Sequence, residues 1–224
     1  MDAPPAWSPT IAVVRRALAQ PLPGQVGQRG MEPAPLPGRP DRWGAAKDCR
    51  DAGVLLLLYP HLTAGGSDLY IALTRRTEYP GVHSGQISLP GGRREGDESL
   101  QTTALRETME EIGVLPETLE VIGGLTMLYI IASHFCIYPF VAYSPARPAF
   151  RLDPGEVAEL IEAPLSLLLD PATRQEEWWP IENYGRRRVP FFNVFGHQVW
   201  GATAMILNEF LMALSQTGQS LLEF

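Results

Sequence analysis

Cysteine is scarce: the 224 residues hold only Cys49 and Cys136. Two cysteines could close one bridge, but a disulfide framework uses more, so a reducing compartment, the cytoplasm, is the default expectation. Nowhere do about 18 apolar residues run together, so no membrane-spanning helix is expected. The longest apolar runs, 54–59 and 127–132, are strand-sized. Residues 1–6 show no basic patch leading into an apolar run, so no secretory leader is read there. Positive charge is also in short supply. The formal net charge of −7 argues against a general nucleic-acid surface, because such binding depends on Lys and Arg neutralising phosphates. An acidic protein handling an acidic substrate needs a bridging cation or locally placed arginines.

What is present suits one globular domain with an extension: the chain is 45% hydrophobic, enough for a core without disulfides or structural metal. Residues 1–45 are rich in proline and glycine and read as an arm ahead of a domain at 46–224. One helix is predicted inside the arm, over 9–19. Ser8 would be its N-cap and Pro9 its first helical residue, with Ile11, Val14 and Leu18 at helical spacing. Residues 21–40 read as an extended segment that packs on the domain or on a dimer mate. From residue 52 the pattern becomes α/β. Strands are predicted at 53–59, 69–74, 86–89, 119–128, 136–143, 157–162, 189–194 and 197–200, with a turn at Gly65, Gly66 and Ser67. Helices are predicted at 100–112, closed by Gly113, at 164–169, and at 202–214.

The stretch that carries chemistry is Gly92 to Glu98 followed by Arg106-Glu107-Thr108-Met109-Glu110-Glu111-Ile112-Gly113. At helical pitch Glu107, Glu110 and Glu111 share one face, and Leu105, Thr108, Met109 and Ile112 are assigned to the core side. Like charges so close repel, and Arg106 reaches only part of that face. A divalent cation offsets the repulsion, and hard carboxylate oxygens suit Mg²⁺ or Mn²⁺. Pro90-Gly91-Gly92 lets backbone approach a ligand, so the Gly91 carbonyl can join the set. Glu98 sits at the helix start, where the dipole favours a carboxylate. A lone Glu-x-x-Glu pair is ordinarily a solvated helix face. Seven fixed positions, G-x5-E-x7-R-E-x2-E-E-x-G, at ~6% usage each, arise by chance on the order of once in a million such chains.

That pattern is identified as the Nudix box; Thr108, where a bulkier apolar residue is usual, is its one soft departure. Upstream, Leu73-Thr74-Arg75-Arg76 and His83-Ser84-Gly85-Gln86-Ile87-Ser88-Leu89-Pro90-Gly91-Gly92 resemble the signature preceding the box in the coenzyme A pyrophosphatase branch. Val199-Trp200-Gly201-Ala202-Thr203-Ala204 is similar to that branch too. Members often carry an Arg two residues before the His; here that position is Gly81.

The resemblance implies an α/β/α sandwich with a mixed central sheet, and Mg²⁺ or Mn²⁺ held by Glu107, Glu110, Glu111, Glu98 and Gly91. It implies Glu107 or Glu110 as proton acceptor, with Arg106 orienting a glutamate. Arg76, His83, Gln86 and Gly92 become substrate-pocket residues. The implied substrate is a small nucleoside-diphosphate-linked molecule, foremost coenzyme A or an acyl derivative. The alternatives are another nucleoside diphosphate, a dinucleotide or a triphosphate, or a non-catalytic ligand-binding module of the same shape. Independently of the resemblance, the proline-rich arm and the apolar C-terminal helix lead to the expectation of a homodimer. Arg186, Arg187 and Arg188 read as a solvated hairpin edge rather than phosphate contacts. Trp178, Trp179 and Trp200 read as core or interface rather than adenine platforms, and Met109 and Met205 as core.

Overall fold

The computed structural model describes residues 10–34, 48–63, 66–80, 83–181 and 185–222. Ser8, Pro9, Gly65 and Gly81 lie outside them. The chain runs through α1 (Ile11–Leu18), α2 (Gln25–Arg29), β1 (Arg50–Thr63), β2 (Gly66–Arg76), β3 (Ile87–Ser88), β4 (Gly91–Arg93), α3 (Leu100–Ile112), β5 (Glu120–Gly124) and β6 (Leu128–Ile130). It continues through β7 (Phe135–Tyr143), β8 (Val157–Pro164), α4 (Leu165–Leu169), β9 (Arg174–Ile181), β10 (Gly185–Val194), β11 (His197–Trp200) and α5 (Gly201–Leu222). No described helix is long and apolar enough to cross a membrane.

The central sheet is mixed. β1 pairs antiparallel with β2 and β4 but parallel with β7, while β5 and β6 join β7 and β3 and β8 join β2. The run Leu55 to Leu58 shows why β1 is central: all four leucines are fully buried. Their side chains alternate between faces. Leu55, Leu57 and Tyr59 pack with Ala104 and Ile112 of α3, whereas Leu56 and Leu58 pack with Met205, Leu207 and Phe210 of α5. A strand buried on both faces reads as a continuous apolar run, as this one does. The result is the α/β/α sandwich. A second sheet, β11-β10-β9, pairs separately and packs into the same core through Phe192, Val194 and Val199.

The arm folds onto the sandwich. Val13, Val14, Ala17 and Met31 are buried in the core on the α5 side. Gln28, fully buried, donates to Glu209 Oε2 and to the Thr126 carbonyl, while Thr126 N–H donates to Glu209 Oε1. Helix α1 is capped at Thr10, without a side-chain hydrogen bond, and α2 lies within the stretch expected to be extended. Gly27 makes that close packing possible: a Cβ there would stand 2.8 Å from Glu209 Cα.

Other sequence expectations need correction. Residues 119–128 are not one strand. β5 ends at Gly124, after a register shift between Val121 and Gly123, and β6 starts at Leu128. Strands β4 and β9 were not foreseen; β9 is almost wholly exposed, so no apolar alternation marks it. Met109 is 38% exposed rather than core. The buried stripe of α3 runs through Thr103, Ala104, Thr108, Glu111 and Ile112. Burial of a glutamate turns the helix relative to a wheel that keeps all carboxylates outside.

The cysteines are also not free. Parallel pairing sets Asp51 opposite Cys136 and brings the Cα atoms of Cys49 and Cys136 to 5.6 Å, and the two are joined by a disulfide. The expectation of reduced thiols is thereby corrected for this pair.

Candidate active site

The site begins with two glycines. Gly53 of β1 and Gly92 of β4 face each other in register, and both lie under α3. A Cβ on Gly53 would come within 2.3 Å of the Leu100 carbonyl; one on Gly92 would reach 2.4 Å from the Glu107 carboxyl carbon. The missing side chains are what let the helix and its carboxylate settle on the sheet edge. Next to them, Gly91 sits at φ 147° against Gly53 and Val54 backbone. Its N–H donates to Glu111 Oε2 at 3.2 Å.

Helix α3 is fixed at both ends. Ser99 Oγ accepts the Thr102 N–H at the N-cap, and Gly113, left-handed, sends its N–H to the Met109 carbonyl. Thr108, the departure from the box, is buried and donates to the Ala104 carbonyl at 2.6 Å, so its hydroxyl is satisfied within the helix.

Arg106 is the hub of the acidic face. It donates to Glu98 through Nη2 at 2.8 Å and Nε at 3.2 Å, to Glu110 at 2.8 Å, and to the Arg93 carbonyl at 3.2 Å. Its Nη1 also lies 3.0 Å from Glu107 Oε1. Glu98 accepts further from Thr103 Oγ1 and Glu95 N–H. These bonds, Arg106 foremost, hold its carboxyl well below the usual carboxylate range. Both Glu98 oxygens are thus occupied within the protein.

Glu111 is the opposite case. It is 3% exposed, and burial pushes its carboxyl up to about 7, against the Gly91 N–H and the Arg76 charge, which pull it down. Burial likewise raises Glu107, opposed by Arg106. Arg76 Nη1 is 3.9 Å from Glu111 Oε1, beyond hydrogen-bond range. Its buried Nε has no hydrogen-bond partner among the described residues.

These groups open into a cavity of about 580 Å³. Arg76, His83, Gln86, Gly91, Gly92, Glu107 and Glu111 all line it. Glu110 and Arg106 do not; Glu110 is turned outward onto Arg106. His83 holds a left-handed backbone, φ 74°, with Nδ1 2.9 Å from Gln86 Oε1, a conformation uncommon outside glycine. Arg186 to Arg188 and Trp178 lie away from the cavity on the second sheet. Arg188 pairs with Glu176, and Arg186 donates to the Trp178 carbonyl. Trp200 lines the cavity and packs edge-on against Trp179.

Sequence reasoning missed Glu156. It lines the same cavity and adds negative charge that raises both Glu107 and Glu111. It sits just past the Asp153-Pro154-Gly155 turn, far from the box, where no spacing singles it out. Also missed were the apolar residues Ile131 from the loop between β6 and β7, Phe135 at the start of β7, and Pro33 from the arm.

The Nudix domain family matches residues 53–182. The chain belongs to the Nudix family. A Pectobacterium atrosepticum protein described as an uncharacterized Nudix hydrolase, NudL, is 35% identical over 170 residues, covering 74% of this chain and 83% of that protein. Nudix hydrolase 15, mitochondrial, of Arabidopsis thaliana is 32% identical over 184 residues, 78% of this chain and 60% of its own. A MutT/nudix family protein of known structure from Enterococcus faecalis gives a TM-score of 0.49 at 14% identity, over 95% of this chain and 76% of its own. This Nudix hydrolase is a pyrophosphohydrolase acting on a nucleoside diphosphate derivative.

The tight contact at Gly92 yields a test. In Gly92→Ala the new methyl group meets only the end of a flexible side chain, so Glu107 swings away while the fold holds. The expected result is a melting temperature within about 3 °C of the parent and a fall in kcat of at least about tenfold. An unchanged kcat would show that the position of Glu107 on Gly92 does not matter.

Proposed function

We propose that this Nudix hydrolase cleaves the diphosphate of coenzyme A or an acyl derivative with water, giving 3′,5′-ADP and 4′-phosphopantetheine or its acyl form. One observation carries the reading. The residues of the upstream signature, Arg76, His83, Gln86 and Leu89, line a single cavity with the box residues Gly92, Glu107 and Glu111.

Nudix hydrolases generally use divalent ions, and the donor set fits one. Glu107, Glu111 and Glu156 border one cavity, and Arg76 matches their charge only in part. A buried carboxylate raised to about 7 is a poorly compensated hard-oxygen donor, the kind that suits Mg²⁺ or Mn²⁺. Among the described residues no three His, Cys, Asp or Glu side chains form a ready-made shell. Glu107, Glu111 and the Gly91 carbonyl would hold the ion, joined by Glu110 once it leaves Arg106. When bound, the ion neutralises diphosphate charge and acidifies a water.

The chain's own groups do the remaining work. Arg76, whose buried Nε has no partner among the described residues, binds a diphosphate oxygen. Arg106 holds Glu107 in place while pinned by Glu98. Glu107 takes the proton of the attacking water. His83 and Gln86 orient the rest of the substrate.

The test is a Mg²⁺- and Mn²⁺-supplemented hydrolysis panel read by mass spectrometry. Coenzyme A is expected to give 3′,5′-ADP and 4′-phosphopantetheine at a kcat/KM at least about tenfold above ADP-ribose, a dinucleotide or a nucleoside triphosphate. Preference for one of those competitors overturns the coenzyme A assignment. Silence with every substrate would favour a binding module instead.

A further inference from the structure

One end of the cavity is acidic; the other is apolar. Ile130 at the end of β6, Ile131 in the loop that follows, Phe135 at the start of β7, Trp200 and Ile206 around the start of α5, and Pro33 of the arm line the apolar end, with Ser133 beside them.

Strand pairing sets the distance between the two ends. Gly91 of β4 lies opposite Val54, and Phe135 of β7 lies opposite Arg50. Two strand spacings across and four residues along β1 separate them, about 10 Å by about 13 Å, or about 16 Å corner to corner. The arm from phosphorus to sulfur in 4′-phosphopantetheine is about thirteen bonds, which spans about 16 Å when extended at the pitch of an extended chain. A diphosphate held beside Gly91 and Glu111 therefore carries the sulfur to the apolar end.

That end is fastened by three sets of contacts. The Arg50 guanidinium lies over the Phe135 ring, 4.2 Å from its centroid, and donates to the Ser133 carbonyl at 2.7 Å. The Cys49–Cys136 bridge ties the start of β1 to the residue next to Phe135. On the arm, buried Met31 and the Ala34 N–H, which donates to the Arg188 carbonyl, hold Pro33 in the wall. An apolar compartment so fixed takes an apolar group without first paying to order itself.

Resting on the coenzyme A reading above, we propose that this compartment receives the group carried on the sulfur. Pro33, Ile131, Phe135 and Trp200 then select an apolar acyl chain over a free thiol, and the arm is a working wall of the site.

The experiment uses the full-length protein with Mg²⁺ and measures kcat/KM for coenzyme A and its acetyl, butyryl, hexanoyl and octanoyl thioesters. Each buried methylene favours binding, so kcat/KM rises with chain length, by at least about tenfold from acetyl to octanoyl. Ile131→Asp and Pro33→Asp, on separate chain segments, each reduce the octanoyl-to-free ratio about tenfold. A merely structural role would lower both substrates alike and leave the ratio unmoved, which overturns the proposal. A flat series in the unsubstituted protein overturns it without any variant, and cleavage of coenzyme A in that case leaves the substrate reading standing. If no coenzyme A substrate is cleaved while ADP-ribose or a dinucleotide is, the substrate reading itself falls and takes the compartment with it.

Discussion

Glu111→Gln lowers kcat by at least about a hundredfold and, without divalent metal at pH 8, raises the melting temperature. Both effects come from the same buried oxygen atoms. Folding takes this carboxyl out of water, and its pKa moves from 4.5 to about 7. The folded state therefore holds the proton more tightly than the unfolded chain does. Stability of the metal-free protein falls as pH rises from about 4.5 to about 7 and stays low above that. A shift of that size corresponds to roughly 3 kcal/mol. Glutamine removes the charge and keeps an oxygen to accept the Gly91 N–H. The variant's metal-free melting temperature at pH 8 should exceed the parent's by several degrees, and the gap should close toward pH 5. Added Mg²⁺ should stabilise the parent and do much less for the variant. Near-parental turnover at saturating Mg²⁺ would exclude Glu111 from the working site. An unchanged melting curve would show that the carboxylate is not the buried cost described here.

Removing the disulfide is the second large effect. The bridge joins residues 87 apart in sequence, and a loop that long restricts the unfolded chain by roughly 4 kcal/mol on the chain-entropy account. The Cys49→Ser, Cys136→Ser double variant should therefore melt about 8–16 °C below the parent. Incubation of the parent with a dithiol reductant should reproduce that fall, and the double variant should not respond to the reductant. If the parent melts identically with and without reductant, the bridge is not a stability element. Cys136 lies between Phe135 and Ile137, both in the cavity wall, so KM is expected to rise along with the loss of stability.

Much of this was legible in the linear chain. The spacing of Gly92, Glu98, Arg106, Glu107, Glu110 and Glu111 marked the chemistry, because helical pitch alone brings Glu107, Glu110 and Glu111 within one arc of α3. The apolar run of β1 marked a strand covered on both faces. Gly113 closed the helix where local backbone rules put it. The stretch from Arg76 to Gly92 could be singled out only by resemblance, since a His, a Gln and an Arg near glycines have no spacing that declares a pocket.

Local periodicity fixed which residues share a helix face and which strands are buried, because both depend only on neighbours a few positions apart. Pairings between distant segments decided everything else. Parallel register joined Cys49 to Cys136, facing glycines on β1 and β4 sank the helix so that Glu111 became buried and Met109 exposed, and folding back of the arm put Pro33 into the cavity. Glu156 entered the site in the same way, from a turn whose position is set by sheet order. Charge burial and cavity shape are properties of segments brought together in space, and a pattern read along the chain carries no measure of that distance.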